Sequence, residues 1–146
     1  MTMVLLIQTL IGSALLLGCT LVHILAVVAS IPVLRHLGHR YQNQVMKRTF
    51  VVFSATVLIL LASHSVQVWA WAALFLITGD MPDLATSLYF STVTYTTLGY
   101  GDIVLEVQSR FVATFGAVTG LISFGITTAF LIGVLSRLLP EVFGSK

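Results

Sequence analysis

The sequence predicts an all-α integral membrane protein, with three membrane-spanning helices and one short re-entrant helix. Three observations carry this reading. Of 146 residues, 58% are hydrophobic and only 8% charged, and the mean hydropathy is +1.04. A soluble domain carries about a quarter charged residues, so most of this chain's outer surface must face lipid. Three apolar stretches each exceed the about 20 helical residues needed to cross a bilayer. A further apolar stretch, 83–95, is too short to cross and runs directly into glycine-rich chain.

The first span is read over residues 1–31, ending before Pro32. Small residues near Ala29 would suit a signal peptidase. Against that, the segment lacks a basic leader, its apolar run is too long, and positive charge follows it, so it is read as a true span. The single cysteine, Cys19, lies inside this span, which excludes an intrachain disulfide and reads as a small buried apolar residue. Residues 32–49 form a basic connector in which Arg35, His36, His39, Arg40, Lys47 and Arg48 are interleaved with Leu37, Tyr41 and Met46. Two readings stand for it: a short interfacial helix starting after Pro32 and touching anionic lipid head groups, or a solvated loop.

The second span is read over 50–78 and closes on Gly79; Trp69 and Trp71 fit an interfacial aromatic belt at its outer end. A short helix is read over 82–96, with Pro82 in its first turn and Asp83 against the positive end of its dipole. The last span covers 109–139 and stops at Pro140, leaving 140–146 as a short tail. Orientation follows from the loops. The first connector carries four Lys and Arg and no acid, whereas Asp80, Asp83, Asp102 and Glu106 lie between the last two spans. Excess positive charge marks the inner side. The chain is therefore expected in the cell (plasma) membrane, with its N-terminus outside and its C-terminus cytoplasmic. Non-helical backbone at membrane depth survives only inside protein or beside water, so the short helix and its glycine-rich tail must lie within an assembly, along an aqueous path.

That tail reads Thr97-Leu98-Gly99-Tyr100-Gly101-Asp102 and follows Thr94 and Thr96. It resembles the signature of the potassium-channel pore family, with Leu98 where Val is most usual, and the resemblance runs over residues 50–139. The likeness implies a pore helix at 82–96 and a selectivity filter at 97–102, in a homotetramer around one axis. Thr97, Leu98, Gly99 and Tyr100, with Gly101, would present oxygens to dehydrated potassium ions, and no organic cofactor is implied. Carbonyls aimed at one axis demand backbone of alternating hand, which Gly99 and Gly101 supply.

The resemblance also implies support from Tyr89 and Phe90 as an aromatic cuff, and from Val93, Thr96 and Asp102. Gly120 falls at the hinge of the inner helix, with close packing as a second role; Gly125 is read as packing alone. Leu121, Phe124, Thr128 and Ile132 share one helical stripe and are expected to line the cavity and gate. Val93 stands where some bacterial members carry glutamate, so the carboxyl pair with Asp102 is absent. Asp102 is expected to bond Tyr95 or a tryptophan of the second span instead.

No span carries arginine at every third position, so a voltage sensor is not expected. Gating would come from the pore, the lipid, pH or a separate subunit. Gln8 and His23 in the first span, with His64, Ser65 and Gln67 in the second, are functional suspects by depth alone. The bland account is interhelical hydrogen bonding worth about 0.6 kcal/mol each; the sharper one is proton sensing by His64. Acidic residues and histidines show no catalytic or metal-ligand spacing, so an enzyme is not expected, nor is a nucleic-acid partner. The expected partners are lipids and other copies of the chain. The leading reading is a passive potassium pore; the alternatives are a weakly selective channel and a non-conducting channel-like subunit.

Overall fold

The computed structural model describes residues 2–107 and 109–140. Among them are four helices and no strand: α1 (Thr2–Arg40), α2 (Val45–Ile77), α3 (Leu84–Tyr95) and α4 (Arg110–Leu138). Three of these, α1, α2 and α4, are long and apolar enough to cross a membrane. At about 1.5 Å per residue, α1 is roughly 58 Å long, well beyond a hydrocarbon core of about 30 Å. Helix α1 packs against both α2 and α4, and α3 is wedged against the same two helices.

The first correction concerns the basic connector. Helix α1 continues through Pro32 to Arg40, and α2 begins at Val45, so the link is a tight turn over 41–44. Gln42 N–H bonds His39 O at 3.3 Å and Gln44 N–H bonds Tyr41 O at 3.0 Å within it. Neither a separate interfacial helix nor a loop over 32–49 is present. An internal proline forfeits one helical hydrogen bond and costs about 3 kcal/mol. Beyond Pro32, Leu34 and Leu37 pack with Val52, Phe130, Val134 and Leu138, and that burial offsets the cost. Arg35 and Arg40 therefore ride on α1, and Lys47 and Arg48 on α2.

A second apolar cluster gathers Cys19, Trp71, Phe75, Met81, Phe90, Tyr95 and Leu105 at the other end. Trp71 is 1% exposed and sits in this core, whereas Trp69 is 53% exposed. Trp69 keeps the exposed face that a belt residue needs, whereas Trp71 is a packing residue that α2's turn carries inward. Gly79, with φ 77°, lets the chain leave α2, and Met81 N–H closes the turn on Phe75 O at 3.2 Å. Helix α3 starts two residues later than expected. Asp83 is its N-cap in extended conformation, and its carboxylate accepts from Thr86 N–H at 2.9 Å and Thr86 Oγ1 at 2.8 Å. Pro82 thus precedes the helix. The backbone bond from Thr86 holds the Asp83 carboxyl below the usual carboxylate range.

Candidate functional site

Helix α3 ends at Tyr95, and its last turn holds the glycine-rich strand that follows. Thr97 N–H donates to Thr94 O at 2.9 Å, while Leu98 N–H and Gly99 N–H share Val93 O at 2.9 and 3.3 Å. Val93 therefore touches the strand through its carbonyl; its side chain is buried. Thr96 turns its hydroxyl back onto Thr92 O at 2.8 Å, inside the helix.

Three residues of the strand have positive φ: Thr97 at 59°, Gly99 at 53° and Gly101 at 77°. The hand of the backbone thus alternates residue by residue, which is what a strand needs if successive carbonyls are to share one side rather than alternate as in a β-strand. The two glycines were expected there. Thr97 was not, because a residue with a Cβ pays about 1–2 kcal/mol in this region. Its signal was available in the spacing: counting back by two from Gly101 and Gly99 lands on Thr97. The side chains between, Leu98 and Tyr100, are 53% and 68% exposed on the single chain.

At the outer end of the strand, Tyr89 Oη donates to Asp102 Oδ2 at 2.5 Å. This corrects the expected partners of Asp102. The Tyr95 hydroxyl is engaged by His64 at 2.7 Å, and Trp71 Nε1 is buried without a partner among the described residues. The Tyr89 bond draws the Asp102 carboxyl below its ordinary range and pushes the Tyr89 hydroxyl up. Of the expected aromatic pair, Tyr89 reaches the strand, and Phe90 packs into the core edge-on to Phe75 at 5.1 Å between ring centres.

Helix α4 meets the base of this unit at Gly120. A Cβ there would run into the Tyr95 carbonyl oxygen, so the glycine is required by close approach. Gly125 meets nothing within 4 Å on its own chain, so packing within the protomer does not account for it. Leu121, Phe124, Thr128 and Ile132 are all exposed on one side of α4. Thr128 spends its hydroxyl on Phe124 O at 2.9 Å, and the Phe124 ring lies 4.7 Å from that of His64.

Behind Tyr95 lies a polar cluster that sequence reasoning met only as separate residues. His64 Nδ1 bonds Tyr95 Oη, and His64 Nε2 bonds Thr127 Oγ1 at 2.9 Å. Thr127 Oγ1 also bonds His23 Nε2 at 3.1 Å, and His23 Nδ1 meets Ser63 Oγ at 2.9 Å and Gln67 Nε2 at 3.3 Å. Ser123 Oγ donates to Gln67 Oε1 at 2.8 Å. All four helices contribute, and His23, Ser63, Gln67 and Ser123 are buried. Buried polar groups at membrane depth are stable only when bonded in this way.

No match was found among curated proteins or among solved structures. A family model described as "Ion channel" matches residues 15–137, from the middle of α1 to the last turn of α4. The match covers well over half of the chain and takes in α1 as well as the two helices that flank the re-entrant unit. With that match, the three apolar helices and the half-span ending in a left-handed alternating strand, the chain is a membrane protein belonging to the ion channel family, with a pore of the potassium-channel type.

Proposed function

We propose that four copies of this chain surround one axis in the cell membrane and form a potassium-selective channel. The observation that carries the reading is the alternation of backbone hand at Thr97, Gly99 and Gly101. Carbonyls of Thr97, Leu98, Gly99 and Tyr100 replace the hydration shell of potassium ions, and the Thr97 hydroxyl adds an oxygen at the inner end. Assembly is supported by the strand itself. It is non-helical, its Leu98 and Tyr100 side chains lie open on a single chain, and lipid cannot satisfy such backbone. Neighbouring copies cover it in a tetramer, and the exposed stripe of Leu121, Phe124, Thr128 and Ile132 lines the cavity below. Gly120 adds a hinge to its packing role. Tyr89 and Asp102 brace the outer mouth, and Phe90, Val93 and Thr96 stiffen the helix behind.

The basic residues mark the cytoplasmic end, so the N-terminus faces out and the C-terminus faces in. At that end a cavity of about 350 Å³ is lined by Arg35, Gly38, His39, Gln42, Arg48, Arg137 and Leu138. We assign it to anionic lipid head groups, which Arg35→Gln and Arg48→Gln would release in a vesicle-binding assay.

Reversal potentials of the reconstituted protein in opposed potassium and sodium gradients test the main reading. A potassium-selective reversal that barium blocks and that Gly99→Ala abolishes is expected. Equal permeability to the two ions would leave a weakly selective channel, and no flux above Gly99→Ala would leave a non-conducting subunit. Mass measurement of the detergent-solubilised assembly tests the tetramer.

A further inference from the structure

The polar cluster between α1 and Tyr95 has a proton order that its partners fix. Ser63 O is a carbonyl and only accepts, and Gln67 Nε2 lies 3.4 Å from it. The Gln67 amide nitrogen therefore faces Ser63 O and His23, and its oxygen accepts from Ser123 Oγ. His23 Nδ1 then faces the Gln67 N–H at 3.3 Å and accepts, with the rotatable Ser63 hydroxyl at 2.9 Å donating to the same nitrogen, so the ring carries its proton on Nε2 and donates to Thr127 Oγ1. Thr127 has one remaining partner in the cluster, His64 Nε2, and gives it the hydroxyl proton. His64 consequently carries its own proton on Nδ1 and donates to Tyr95 Oη. The chain reads in one direction, Gln67 to His23 to Thr127 to His64 to Tyr95, with both imidazoles neutral.

A further proton cannot enter without breaking a bond. On His23 Nδ1 it would displace the Gln67 N–H and turn the Ser63 hydroxyl from donor to acceptor; on His64 Nε2 it would face the Thr127 hydroxyl hydrogen. The two rings lie 4.9 Å apart between centres, so a charge on one opposes a charge on the other. The side chains facing the pair are Ser63 and Gln67 from α2, Tyr95 from α3, and Thr127 and Phe124 from α4, with Cys19 of α1 in the apolar cluster that contains Tyr95. None of these carries a charge, and Cys19 and Tyr95 are the titratable ones. His64 also borders a cavity of about 400 Å³ shared with Ser65, Thr92, Tyr95, Thr96 and Phe124, which gives a proton a way in. The far end of the chain, Tyr95, sits two residues before Thr97 and presents its carbonyl to Gly120.

We propose that His23 and His64 are positioning residues for the filter. Through this ordered chain, α1 holds Tyr95 in place, and uptake of a proton by the histidine pair disrupts the links through Gln67 and Thr127 that tie α1 to the His64–Tyr95 pair, which loosens Tyr95 and reduces conduction. The inference rests on the channel reading above, and it assigns α1 a role in the control of the pore.

Two measurements test it, the first independently of that reading. The first uses ¹⁵N spectra of the histidines in protein reconstituted into phosphatidylcholine vesicles at pH 8, with no flux required. His23 is expected protonated on Nε2 and His64 on Nδ1; His64 protonated on Nε2 would overturn the proton order. The second is potassium flux between pH 8 and pH 5. The wild-type flux is expected to fall on acidification, and Thr127→Ser is expected to keep that response. Thr127→Val and Tyr95→Phe should flatten it while the assembly stays intact by size exclusion. Gln67→Glu places an acceptor against His23 Nδ1 and is expected to raise the pH midpoint by about one unit or more. A Tyr95→Phe channel as acid-sensitive as wild type would refute the coupling. An unmoved midpoint in Gln67→Glu would refute it as well. Absence of flux at every pH would sink the channel reading and the coupling while leaving the tautomers as an independent result.

Discussion

Residues 97–102 and the polar cluster behind them are neighbours joined at Tyr95, yet they are held by different means. The strand is fixed within about ten residues of sequence: three N–H groups on the carbonyls of Val93 and Thr94, and backbone that suits glycine at alternate positions. The cluster is fixed by side chains from all four helices, with partners as far apart as His23 and Thr127. One is shaped by what its residues lack, a Cβ; the other by what they bring, donors and acceptors that match in direction. The strand is therefore vulnerable to added atoms and the cluster to deleted ones, since an unmade bond in a low-dielectric interior costs more than in water.

The largest effect should come where the two regions meet. Gly120→Ala pushes a methyl group into the Tyr95 carbonyl, and backbone there cannot retreat without moving the strand or the cluster. A loss of about 3 kcal/mol is expected, at the upper end for overpacking, read as thermal unfolding of the purified assembly. Gly125→Ala, with open space at its Cβ, is the matched control and should stay within about 0.5 kcal/mol. Similar losses at both positions would break the contrast, because they would show a general intolerance of α4 rather than a contact at Tyr95.

Next in size is Gln67→Leu, which keeps volume but strips partners from His23, Ser63 and Ser123. Leaving such groups unsatisfied costs about 2 kcal/mol, and a double-mutant cycle with Ser123→Ala should show coupling of about 1 kcal/mol. A cost below about 0.5 kcal/mol would mean that the cluster behaves as an ordinary helix seam, near the average for hydrogen bonds in membranes.

The same contrast decides what could be read in advance. The spans and the half-span were legible because length and hydropathy are local quantities, and so was the strand, because Gly99 and Gly101 announce backbone that few other residues adopt. What was lost depended on distant partners. Pro32 looked like a helix end, and only the burial of Leu34 and Leu37 against α2 and α4 carries α1 beyond it. Trp69 and Trp71 look alike in sequence, and two residues of helix rotation send one outward and one into the core. His23 and His64 were each suspect by depth, but nothing in their spacing says that Thr127 bridges them. Asp102 was matched to the wrong aromatic residue for a related reason. The choice between Tyr89 and Tyr95 depends on which end of α3 the strand returns to.

Thr97 offers a smaller test within the strand. Thr97→Gly removes the strain of a β-branched residue at φ 59° and should stabilise the fold by about 1 kcal/mol, while weakening potassium flux through loss of the hydroxyl. A destabilised Thr97→Gly would show that contacts of the threonine side chain outweigh its backbone cost, and that the strand is shaped by side chains too.

The smallest effect belongs to the exposed pair at the outer end, Tyr89 and Asp102, and it is best separated by pH. The Tyr89 hydroxyl bond lowers the folded Asp102 pKa, so its contribution is present above the unfolded carboxylate value of about 3.9 and is lost as pH falls through the folded one. The same bond raises the folded Tyr89 pKa. That contribution is complete below the unfolded phenol value of about 10 and is lost as pH rises through the folded one. Tyr89→Phe should therefore lower the melting temperature slightly across the neutral range, by less than Gln67→Leu. The gap to wild type should narrow toward both strongly acid and strongly alkaline pH. Because both groups face solvent, salt should shrink the gap further by screening. A gap that stayed constant with pH would show that the tyrosine acts through packing rather than through its bond to Asp102, and would move Tyr89 from the polar side of the comparison to the apolar one.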